Sequence, residues 1–177
     1  MVRHGGEPAA GRFRLHNGEG IYVGTSPKTT NRSMHADDNT SYNLIENNVI
    51  HTYGSECLDV KENSHDNVFS YNDCGFNDEP LAFEGSNIEI RGYHNTVTDN
   101  TIANSLGYGV KLASDSTIYP QGKNVVTGNL FSGDVGSSIY NRHTTAQGAF
   151  CGDSFKKASY LQGSSVGLAT KACPAVP

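Results

Sequence analysis

The chain has 177 residues, 36% of them hydrophobic and none of them Trp, which is too little apolar material for a broad globular core but enough for a narrow, repetitive one. A formal charge of -5 with no long basic block excludes the phosphate-neutralising surface that nucleic-acid binding requires, and no apolar run of about 18 residues is available to cross a membrane. Twenty glycines and many Asn, Ser and Thr favour turns over helices, so the expected class is all-β.

Residues 1–17 form an irregular N-terminal segment without the apolar stretch of a secretory signal. Phe13 and Leu15 could lay one partial strand over the first rung, but no amphipathic cap is visible. An uncapped first strand exposes backbone donors and acceptors, so the expectation is either a β-helix truncated at its N-terminus or self-association through the first rung. The first clear strand is Ile21-Tyr22-Val23, set between Gly18, Gly20 and Gly24 and preceded by Glu19. Two N-x-S/T sequons come next, at Asn31 and Asn39.

From residue 43 onward the chain repeats itself. The pattern N-x-[VIF]-x-x-N runs Asn43 to Asn48, Asn67 to Asn72, Asn95 to Asn100 and Asn124 to Asn129, with starts 24, 28 and 29 residues apart. After each copy comes a second apolar strand: Leu58-Asp59-Val60, Ile88-Glu89-Ile90, Val110-Lys111-Leu112 and Ile139-Tyr140-Asn141. Alternation puts Leu58, Val60, Ile88, Ile90, Val110 and Leu112 on one face and polar residues on the other. Such a unit cannot bury its apolar face alone, whereas stacked units share a continuous core, and their turn asparagines can bond to the rungs above and below. The expected architecture is a right-handed parallel β-helix of about five rungs over residues 18–155, closed by an irregular C-terminal segment, 156–177. A β-sandwich would need hairpin signals that are absent, and the leucine spacing does not suit a leucine-rich repeat.

Stacking in register places equivalent side chains about 4.8 Å apart. One outward column then reads Gly24, Lys61, Arg91, Ala113, Arg142, and its neighbour reads Tyr22, Asp59, Glu89, Lys111, Tyr140. Glu19 and Glu56 stand at the same place just before their strands, a pair that repels unless a cation lies between.

These residues resemble the pectate-lyase-like β-helix superfamily, and Glu56-x-x-x-x-Lys61, Asn67, Asn72, Arg91 and Asn95 to Asn100 look like the catalytic stretch of alginate lyases and chondroitin-B lyases. The resemblance implies a polysaccharide lyase acting on an acidic polysaccharide, with Lys61 as general base and Arg91 assisting the departing oxygen. It implies calcium held by Glu56, with Glu19 or Asp59. Tyr22, Tyr108 and Tyr140 would offer sugar-stacking surfaces, and Asp59, Glu89, His94, Lys111 and Arg142 would complete substrate binding. A lysine beside an arginine is expected to have its neutral form favoured by like-charge repulsion. The pattern departs from those lyases in a longer stretch between Lys61 and Arg91 and in Gly54, where they carry another acidic ligand.

The same ladder also suits a non-catalytic glycan-binding or structural module, since alternating outward charges keep a β-helix soluble. Asp37-Asp38 is similar to the paired aspartates of β-helix glycoside hydrolases, without their accompanying motifs. Cys57 with Cys74 and Cys151 with Cys173 can pair as disulfides, in agreement with the sequons and a secreted location, or remain buried thiols.

Overall fold

The computed structural model describes residues 18–27, 38–116, 118–156 and 161–163. Phe13, Leu15, Asn31, Asp37 and Cys173, and with them the expected N-terminal segment, lie outside the described residues. Within those residues, sixteen short strands form three parallel sheets. Strands β1 (Ile21–Val23), β4 (Leu58–Val60), β7 (Ser86–Ile90), β10 (Tyr108–Leu112), β13 (Ile139–Asn141) and β16 (Leu161–Gly163) stack into the first sheet. The second holds β2 (Leu44–Glu46), β5 (Val68–Ser70), β8 (Thr96–Thr98), β11 (Val125–Thr127) and β14 (Phe150–Cys151). The third holds β3 (Val49–His51), β6 (Asp73–Gly75), β9 (Thr101–Ala103), β12 (Leu130–Ser132) and β15 (Ser154–Phe155). The chain visits each sheet once per turn, which makes it a parallel β-helix. The coil does not stop at residue 155: β16 pairs with β13 and carries the first sheet into the segment expected to be irregular closure.

The core is a thin column built from one or two inward residues per strand. Leu58, Ile88, Val110 and Ile139 stack in one inward row, and Ile50, Cys74, Ile102 and Phe131 in another, each at most 1% exposed. Cys57 and Cys74 are bonded across this column, with Cα atoms 5.8 Å apart. Cys151 is disulfide-bonded as well.

The asparagine repeat marks the two ends of each second-sheet strand. In one ladder the Oδ1 of Asn67 accepts the backbone N–H (3.0 Å) and side-chain N–H (2.9 Å) of Asn43. Asn95 does the same for Asn67, Asn124 for Asn95, and Gln147 for Asn124. The second ladder runs Asn48, Asn72, Asn100, Asn129, Asp153 in the same sense. Each member accepts from the preceding rung, so the last needs only an acceptor, which is why Asp153 and Gln147 can end the ladders. Between second-sheet and third-sheet strands a single left-handed residue makes the corner: Asn47, Tyr71, Asp99, Gly128 and Gly152, with φ between 53° and 69°.

Asn100 carries six of these bonds: its Nδ2 donates to Phe69 O, Thr98 O and Asn129 Oδ1, its N–H to Asn129 Oδ1, and its Oδ1 accepts from Asn72 twice. Asn100→Ala keeps the backbone donor but strands several buried partners, and a cost of about 3 kcal/mol in chemical denaturation is expected. A change below about 1 kcal/mol would show that water replaces the ladder.

Candidate functional site

Register decides which side chains share a column, and both columns read from the sequence are present. Tyr22 pairs with Asp59, Asp59 with Glu89, Glu89 with Lys111 and Lys111 with Tyr140. Lys61 N–H donates to Val23 O, Arg91 N–H to Val60 O and Arg142 N–H to Leu112 O, so Lys61 and Arg91 stand one rung apart. Gly20 N–H donates to Glu56 O, which puts Glu19 beside Glu56.

The middle of these columns borders a groove of about 140 Å³ lined by Glu19, Ser55, Glu56, Asp59, Lys61, Glu79, Phe83, Glu89, Arg91 and Lys111. Five carboxyl groups thus face three cations. Lys61 Nζ is bonded to Asp59 Oδ2 and lies 4.5 Å from the centre of the Tyr22 ring. Arg91 is surrounded: Nε is 3.5 Å from Asp59 Oδ1, Nη2 is 2.9 Å from Glu89 Oε2 and Nη1 is 2.5 Å from Asp115 Oδ2. Lys111 Nζ lies 3.2 Å from Glu89 Oε1 and 3.8 Å from Glu84 Oε2.

Burial and mutual repulsion reshape the titrations. Burial, then the charges of Asp59 and Glu89, push the Glu56 carboxyl up to about 8. Burial also raises Asp59, to about 6, against the pull of Arg91 and Lys61. Lys61 corrects the expectation of a neutral amine. Burial draws its ammonium down and Arg91 adds to that, but the Asp59 charge and hydrogen bond outweigh both, and the net shift is upward. Adjacent like charge does not govern this lysine because a buried carboxylate lies nearer.

Glu19, Glu56 and Asp59 each bring a carboxylate oxygen within 4.8 Å of the other two. This oxygen-only set suits a hard cation such as calcium, and the excess of acid in the groove gives such an ion something to neutralise.

Four expected substrate contacts stand elsewhere. His94 sits at a corner between the first and second sheets, at φ 54°, packed edge-on to Tyr93 with its Nδ1 3.7 Å from Asp66. It takes no part in lining the groove. Tyr108 is only 5% exposed and its ring is stacked on Tyr140 at 4.3 Å, so its face is not a free sugar platform. Arg142 and Tyr140 are engaged with Glu84, Arg142 Nη1 at 2.5 Å and the tyrosine hydroxyl at 3.5 Å.

Sequence reasoning missed Ser55, Glu79, Phe83, Glu84 and Asp115. Glu79, Phe83 and Glu84 lie on the loop between β6 and β7, which folds through one 3-10 turn, Leu81–Phe83. Asp115 lies on the loop between β10 and β11. The spacing between repeat copies lengthens from 24 to 28 and 29 residues where these loops occur, and that lengthening was the available signal.

Among the described residues no helix is long and apolar enough to cross a membrane. Comparisons with family models, curated proteins and solved structures return no match.

Proposed function

We propose that the groove binds an acidic polysaccharide and cleaves it by β-elimination at a uronic-acid residue. The observation that carries this reading is the adjacency of Lys61 and Arg91 in one groove, beside the carboxylate set of Glu19, Glu56 and Asp59.

Elimination removes a weakly acidic proton next to a carboxylate, so a base must stand beside groups that stabilise the carbanion. Asp59 holds Lys61 mainly as the ammonium, so it is the minor free-amine form that takes the proton; the electron pair forms the new carbon–carbon double bond, the glycosidic carbon–oxygen bond breaks, and the Lys61 ammonium returns a proton to the leaving oxygen. Arg91 faces the sugar carboxylate, where negative charge develops. Tyr22 lies beside the groove under the Lys61 ammonium, and Asp59, Glu89 and Lys111 line it. Glu19, Glu56 and Asp59 would hold calcium, which supplies positive charge beside the substrate carboxylate. Asp59 belongs both to this set and to Lys61, so a cation held there would loosen its grip on the lysine proton and favour the free amine. The disulfides support an oxidising, extracellular compartment.

Incubation with alginate, pectate and dermatan sulfate, with calcium and then with chelator, tests this reading. Ultraviolet-absorbing unsaturated ends are expected from one polymer, and only with calcium. New reducing ends without that absorbance would instead establish hydrolysis. Hydrolysis is a second reading that the raised Glu56 carboxyl favours, since a protonated acid beside an ionised one within about 5 Å is the arrangement of a retaining glycosidase. Calorimetric binding with unchanged polymer length would establish a non-cleaving glycan module.

A further inference from the structure

Arg91 has a carboxylate at each guanidinium nitrogen, but the three differ in kind. Asp59 and Glu89 side chains are 2% and 3% exposed and belong to the sheet itself, as members of the outward column. Asp115 is 40% exposed, comes from a loop, and meets Nη1 of an arginine that is itself 16% exposed.

Its position is built rather than incidental. Glu62, only 2% exposed, accepts the Asp115 backbone N–H at 2.9 Å, and its Oε1 lies 3.4 Å from the Ser114 hydroxyl. The same Ser114 hydroxyl donates to Ser116 O at 2.8 Å and accepts the Ser116 N–H at 3.1 Å, so the turn that presents Asp115 is tied down on both sides. A buried acid one residue after Lys61 therefore fixes the loop that delivers a carboxylate to Arg91.

We infer that Asp115 occupies, in this structure, the place of the substrate's own carboxylate against Arg91, and that acidic sugars bind by displacing it. This rests on the reading of the groove as an acidic-glycan site and adds a determinant of specificity to it. A planar guanidinium edge accepts either carboxylate with the same geometry. The two buried acids stay with Arg91 while the exposed, solvent-screened one gives way. A neutral sugar has nothing to trade for Asp115 and is rejected. Asp115 thus acts as a competitor for the subsite, without taking part in bond breaking.

Glucuronate is the probe, followed through the Arg91 Nε–H resonance by NMR in the parent, Asp115→Asn and Asp115→Ala proteins. Glucuronate is expected to shift that resonance, with affinity about two- to fivefold tighter in both variants, the range an exposed ion pair accounts for. Glucose is expected to leave it unmoved. Equal or weaker glucuronate affinity in the variants overturns the inference, and so does absence of any shift in all three proteins. Glucuronate binding of the expected order with no unsaturated product from any polymer would sink the elimination reading alone, whereas elimination activity without a glucuronate effect at Arg91 would sink this one.

Discussion

Lys61→Arg is expected to fold like the parent and to lower elimination by about 10³-fold. General-base catalysis is worth about 10²- to 10⁴-fold, and arginine cannot supply it because its guanidinium stays protonated throughout the working range. The choice of arginine matters for the fold. Lys61 is bonded to Asp59, a buried carboxylate, and truncation to alanine would leave that charge with Arg91 alone. Loss of activity in Lys61→Ala could then come from a disturbed groove, since breaking a buried pair on one side costs about 3–5 kcal/mol. Arginine keeps a cation beside Asp59 and over the Tyr22 ring, so thermal unfolding should move little while turnover collapses. Retention of most of the turnover by Lys61→Arg, with calcium present, would remove Lys61 from the role of base.

The parts of this molecule that were legible in the sequence are those fixed by period and register. The repeat N-x-[VIF]-x-x-N announced the ladders because each asparagine satisfies backbone and side-chain donors of the rung before it, a demand that recurs at every turn. The column Tyr22, Asp59, Glu89, Lys111, Tyr140 came from aligning apolar pairs, and the observed pairing reproduces it residue for residue. What periodicity could not reveal was the content of the loops. Glu84 and Asp115 have no counterpart on neighbouring rungs, so no alignment of repeats brings them to Lys111, Arg142 or Arg91. The sign of the Lys61 shift was out of reach for a related reason. Sequence gives the neighbour one rung away, Arg91, but the carboxylate two residues back became the stronger influence only when burial removed the water between them. His94 failed in the opposite way: three residues from Arg91 in sequence, it turns the corner in a left-handed conformation and joins Tyr93 and Asp66 instead.

Glu56→Gln is expected to stabilise the calcium-free protein at neutral pH by about 2–3 kcal/mol, with the gain growing as pH rises. Glu56 is 5% exposed, and its carboxyl moves from an ordinary value of 4.5 to about 8 on folding. A group raised in this way binds its proton more tightly in the folded state, so its contribution is fully favourable below pH 4.5 and is lost progressively as pH rises through about 8. Glutamine does not ionise, and it can still accept the hydrogen bond that the Ser55 hydroxyl gives to Glu56 Oε2. The variant should therefore show a flatter stability profile between those limits, read by urea denaturation at a series of pH values. Calcium should reverse the ranking: a cation held by Glu19, Glu56 and Asp59 stabilises only the chain that can offer all three carboxylates. If parent and variant keep the same pH slope, Glu56 is not the strained acid of the groove. If they also gain equally from calcium, the carboxylate set is not where the cation binds.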